Sequence, residues 1–234
     1  MSGTPLVLGG PLSPLAWGAG FVEASLDDAV EALEAWWRSI RRRYRLEPTS
    51  GLLLAQLRRL DPLEAPYTCH LLVGTRSSWT ACFDNSIGGG DQTSWCAQLS
   101  RELGTRCVLA EHVPPEHYPY PSTQLELLGP EGEPPLLYIR TLSAGVYDDE
   151  RWEWYAAGPP QSWEDVTRYT VPRIRDRLDR DLLVHYLACL GITVDEPEFY
   201  GDGVLVRKRS PMLVRLRGRR ETIASLQREY GIAA

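Results

Sequence analysis

Residues capable of chemistry are few in this chain of 234 residues, and they are widely spaced. The five cysteines, Cys69, Cys82, Cys96, Cys107 and Cys189, include no C-x-x-C pair. A disulfide framework wants an even set on a smaller scaffold, and structural zinc wants close ligand pairs, so five buried reduced thiols are expected. His112 and His117 flank Pro114-Pro115, which keeps them off a common helix face. Cys69 and His70 are neighbours in a strand-like run and point to opposite faces, which argues against a nucleophile–base dyad. His185 falls beside an apolar helical stripe and is expected to be a partly buried structural residue. Asp84, at a strand end, is the carboxylate best placed for metal or acid–base work. The Gly88-Gly89-Gly90 loop follows a strand and opens a helix, where backbone N–H groups can hold phosphate. It matches neither dinucleotide nor P-loop spacing, and Asp91 is a natural N-cap for the same donors. No catalytic residue, cofactor or metal ligand is assigned on these grounds. An enzyme, metal-dependent or hydrolytic, with a site near residues 84–91 stands as an alternative function.

Ser25 caps a helix predicted over residues 25–45, with Leu26, Ala29, Val30, Leu33, Trp37, Ile40 and Tyr44 as its apolar stripe. Strands are predicted at Leu52–Arg58, Tyr67–Val73 and Trp79–Phe83, the last by the alternation of Trp79, Ala81 and Phe83. A helix over 92–103 stops at Gly104. Further strands are expected at Arg106–Ala110, Thr123–Leu128, Leu136–Leu142 and Arg151–Ala156, joined by Pro-rich irregular loops at 114–121 and 130–135. Helices close the chain at 179–190 and 221–230, around a hairpin of Gly203–Arg207 with Leu213–Arg217. Strands that run in groups with short connectors predict an α+β fold, mainly antiparallel, flanked by helices in one compact domain. Residues 1–194 form the expected core, with 195–234 a basic hairpin–helix appendage packed on it. Its core should include Leu33, Trp37, Ile40, Trp79, Ala81, Phe83, Leu99, Leu183 and Leu187.

Charge is segregated along the chain. The net charge is −6, with 24 Arg and a single Lys, Lys208. Residues 203–234 carry +6, whereas residues 110–165 hold eleven acids against Arg140 and Arg151. A field of that sign repels nucleic acid and anionic lipid and attracts basic proteins. No run approaches ~18 apolar residues, and the first residues lack a basic n-region, so neither a membrane span nor a secretory signal is expected. The expected location is the cytoplasm. In the run Trp152-Glu153-Trp154-Tyr155, alternation puts the two Trp on one face, expected in the core, and Arg151, Glu153 and Tyr155 on the other. The acidic turn Asp148-Asp149-Glu150 precedes it, and these three residues with Glu153 are the expected partner-binding site.

An acidic, Trp-rich α+β chain of Arg-rich bacterial type without a catalytic signature resembles the immunity proteins that neutralise polymorphic or secretion-delivered bacterial toxins. The resemblance implies an inhibitor that binds a basic toxin domain through surface acids and aromatics. It implies no cofactor and leaves the oligomeric state open. A structural or adaptor subunit of a secretion or phage-defence assembly is the other alternative.

Overall fold

The computed structural model describes residues 5–88, 92–116, 120–135, 137–147, 151–208 and 218–232. Its strands are β1 (Gly18–Val22), β2 (Tyr44–Thr49), β3 (Leu63–Ala65), β4 (Cys69–Thr75), β5 (Thr80–Asp84), β6 (Cys107–Val113), β7 (Ser122–Glu133), β8 (Tyr138–Val146), β9 (Trp152–Ala157), β10 (Tyr200–Lys208) and β11 (Arg219–Glu221). The helices are α1 (Leu26–Ser39), α2 (Leu53–Leu57), α3 (Gln92–Leu103), α4 (Arg180–Cys189) and α5 (Ile223–Glu229). Nine strands form one open antiparallel sheet in the order β2-β10-β4-β5-β1-β6-β7-β8-β9, and β3 pairs with β11 separately. The protein is therefore mixed α+β with a large antiparallel sheet, and β6 to β9 form a simple meander. No helix among the described residues is long and apolar enough to cross a membrane.

Directly opposed residues on paired strands share a face, so the register sorts every side chain. One face presents Leu72, Cys82, Val22, Cys107 and Leu109 to α1 and α3, which bury Leu33, Trp37, Trp95 and Leu99 against them. The other presents Leu71, Phe83, Phe21, Val108, Leu125 and Leu142 to α4, α2 and the segment 5–17. That segment, unpredicted from the sequence, is tied down by side chains from distant helices. Arg180 donates to the carbonyls of Leu8 (2.9 Å) and Val7 (3.2 Å), and Gln227 to those of Pro11 and Ser13 (both 2.9 Å). Gly20 lets α3 approach the central strand, since a Cβ there would lie 2.5 Å from Cys96 Sγ.

Several expectations need correction. Helix α1 begins as expected, with Ser25 capping the Asp28 N–H at 3.2 Å, but it ends at Ser39. Arg41 turns the chain at φ +54°, and Tyr44 starts an edge strand on β10 instead of a further helical turn. Ile40 is accordingly 47% exposed, while the other eight expected core residues are buried. Leu52–Arg58 is a helix, because Leu53 and Leu57, one turn apart, both reach the core. Residues 130–133 continue β7 past a register shift and are not an irregular loop. Gly203–Arg207 pairs with β2 and β4, and Leu213–Arg217, its expected partner, lies outside the described residues. Cys189 and His185 are exposed on α4, where each was expected to be at least partly buried.

Candidate functional site: an open acidic sheet face

Asp84 is fully buried and serves as a tie. Its carboxylate accepts from Trp95 Nε1 (3.0 Å) on α3 and from the Ser86 N–H (2.9 Å). Of the glycine loop only Gly88 is described; Gly89, Gly90 and Asp91 lie outside, as does His117. His112 is bonded through Nδ1 to Thr123 Oγ1 at 3.0 Å, and burial pushes its pKa down to about 4. Cys69 and His70 point to opposite faces as expected. The Cys69 thiol meets Arg207 Nη1 at 2.9 Å, while His70 packs among Trp95, Trp37 and Tyr67 with ring centroids 4.5–5.2 Å apart. Neither ring nitrogen of His70 has a hydrogen-bond partner among the described residues, and burial, with Lys208 adding to it, drives its pKa well below the usual range. Cys82, Cys96 and Cys107 converge in the core, where burial raises the Cys96 thiol far above its ordinary value. Among the described residues no group of three His, Cys, Asp or Glu could hold a metal ion.

The surface that stands out lies further along the same sheet. On the α1/α3 side, the register carries the face from Leu109 to Glu126 and Thr141, and from Glu111 to Gln124, Ser143 and Tyr155. Ser122, Gly145 and Glu153 form the next row. Apolar residues, Leu128 of β7 among them, fill this face under the two helices, and polar ones replace them from Glu111 and Glu126 onward. Tyr155 (57%), Tyr120 (48%) and Tyr147 (38%) are exposed around it. Gly145 shapes the surface, because the Tyr147 ring lies over it, 3.3 Å from where a Cβ would stand, and the Tyr147 hydroxyl lies 2.5 Å from Ser143 Oγ. At one end, Glu126, Glu131, Glu133, Tyr138 and Tyr155 line a cavity of about 610 Å³. At the other, Glu111, Tyr120, Ser122, Gln124 and Tyr147 line one of about 300 Å³.

Burial penalises the charge of two of these carboxylates, Glu111 and Glu126. Burial raises the pKa of Glu111, against a hydrogen bond from Ser122 Oγ (2.9 Å) that lowers it. Burial also raises Glu126, and the charge of Glu111 adds to that rise. Glu126 Oε2 is buried and has no hydrogen-bond partner among the described residues. Two guanidiniums border the region and both are committed. Arg106 is bidentate to Glu23 (2.7 and 2.8 Å), and Arg140 is bidentate to the buried Glu164 (2.9 and 2.7 Å) on the opposite face.

Of the expected partner-binding residues, Glu153 is exposed on this face, and Asp148, Asp149 and Glu150 lie outside the described residues. Trp152 and Trp154 pack against the core on the other side, as the alternation predicts. Tyr120 and Tyr147 were not singled out from the sequence; Tyr155 was placed beside Glu153 by the alternation, and the half-buried Glu111 and Glu126 were counted only among the eleven acids of residues 110–165. The signal was there as polar alternation in successive strands, Gln124/Glu126 and Thr141/Ser143, which marks a face without a helix over it. Glu164 was counted with the surface acids, but its ion pair with Arg140 removes it from the surface. No protein-family model, curated protein or solved structure matches the chain.

Proposed function

We propose that the chain is a protein-binding module of immunity type, which neutralises a basic toxin domain by docking it on the open acidic face of β6–β9. The observation that carries this reading is Glu126. It is a carboxylate with one buried oxygen that has no partner among the described residues, set among further acids and exposed tyrosines. A buried acceptor without a donor costs about 1–3 kcal/mol in the free protein, and an Arg or Lys supplied by a partner would recover that cost on binding. Tyrosines around a charged centre provide rigid contact area at low entropic cost, and the acidic field speeds encounter with a basic partner.

The test is capture with the intact chain, followed by kinetics on the purified partner. A strongly basic partner is expected. Changing Glu131, Glu133 and Glu153 together to Lys should slow its association by ~10-fold or more at low salt, and most of that effect should vanish at high salt. A partner with an acidic contact surface, or an association rate indifferent to the triple change, refutes the reading.

A further inference from the structure

The two edges of the sheet are built differently. The β2 edge carries Pro48, which has no N–H to offer a new strand, and its Glu47 is engaged by Arg45, Arg59 and Arg207. The β9 edge carries none of these devices. Its residues, Trp152-Glu153-Trp154-Tyr155-Ala156-Ala157, include no proline and one charge, and Trp and Tyr are strong strand formers. Glu153, Tyr155 and Ala156 are exposed. Apart from its ladder with β8, the backbone of residues 152–156 takes part in no hydrogen bond with any described residue. Among the described residues, the one side-chain bond to this strand's backbone is from Arg140 to the carbonyl of Ala157, its last residue (3.2 Å).

We infer that the partner docks by adding a strand to the β9 edge, and that the added segment alternates basic and apolar residues. This rests on the reading of the acidic face given above and specifies how that face is used. The alternation follows from the pleat. Residues of an added strand on one face lie beside Glu153 and Tyr155, next to the cavity of Glu126, Glu131 and Glu133. Those on the other face lie beside Trp152 and Trp154, which already pack on the core, Trp154 with its ring 4.9 Å from Tyr169. Main-chain bonds then supply affinity, and the two faces supply specificity. Charge decides against a second copy of this chain as the occupant. Edge-to-edge pairing of two β9 strands about a two-fold axis normal to the sheet brings both acidic faces to the same side, where like charges repel.

Two peptides of equal composition test this with the intact chain at low salt: Arg-Val-Arg-Val-Arg-Val-Arg, and the block arrangement Arg-Arg-Arg-Arg-Val-Val-Val. The alternating peptide should bind at least 10-fold more tightly. It should also slow hydrogen exchange of alternate amides within 152–157, and Glu153→Lys should weaken it by 10-fold or more. Equal binding of the two peptides without protection of β9 overturns strand addition and leaves the acidic face standing. Failure of both to bind overturns the acidic face as well. Concentration-dependent dimerisation that protects the β9 amides without peptide makes a second copy the occupant and overturns the inference.

Discussion

One sheet face in this protein has two halves with opposite chemistry. Under α1 and α3, the positions facing the helices are Leu72, Cys82, Val22, Cys107 and Leu109, all buried and apolar. Over the next three strands, β7 to β9, equivalent positions hold Glu126, Gln124, Thr141, Ser143, Glu153 and Tyr155. Backbone pairing runs on from β6 through β9, with register shifts only toward the Leu127–Glu133 end of β7, so the hydrogen-bonded ladder does not mark the change; the side chains do. The covered half gains stability from burial. The open half keeps carboxylates in half-desolvated positions that cost the free protein stability, which makes sense for a surface completed by something else.

The largest expected contrast is in packing. Trp95→Ala should cost ~3–5 kcal/mol, because it opens a cavity and strips Asp84 of a donor, whereas Tyr155→Ala should change stability by less than ~0.5 kcal/mol. Urea unfolding of both variants measures the difference, and comparable losses would erase the distinction between the halves.

Next in size is the effect on association. Reversing Asp148, Asp149 and Glu150 to Lys is expected to slow binding of a basic partner by ~10-fold at low salt. Unfolding free energy should stay within ~0.5 kcal/mol of the original.

The two halves should also respond to pH with opposite signs. His70 is buried as the neutral form, so its pKa is lower folded than unfolded. Below the unfolded value of about 6.5 the unfolded chain binds the proton and the folded chain does not, so stability is lost as pH falls. His112 acts the same way down to about 4. His70→Phe should therefore flatten the stability profile between pH 7 and 5, leaving the smaller slope of His112. Glu126 is shifted the other way, so its ionisation penalises the fold as pH rises above its unfolded value of about 4.3. Glu126→Gln should stabilise the protein by about 1 kcal/mol at pH 7, with the gain fading toward pH 4, while partner binding weakens. A loss of stability at pH 7 on this substitution would mean that the carboxylate is satisfied in the free protein.

Local patterns in the sequence revealed the elements whose partners lie close by. Trp79, Ala81 and Phe83 alternate because β5 is paired on both sides and faces the core. The α1 stripe is real up to Trp37. Tyr44 fits that stripe equally well, yet it pairs with Lys208, more than 160 residues away, and no window of sequence contains that choice. The central strand β1, Gly-Ala-Gly-Phe-Val, has neither polar alternation nor bulk, since both faces are covered and α3 needs room over Gly20. The acids of the site and the split of Trp152/Trp154 from Glu153/Tyr155 were legible. That the described helices leave Glu153 and Tyr155 exposed on that face was not, because coverage depends on where the chain goes next.

Amide chemical-shift mapping of the intact chain on addition of its captured partner probes the open face most directly. Shifts should cluster in residues 122–126, 141–147 and 152–157 and leave α1 and α3 unmoved. Shifts concentrated on those two helices, or on α4 across the sheet, would show that the partner binds elsewhere and that the open acidic face is a solvated surface.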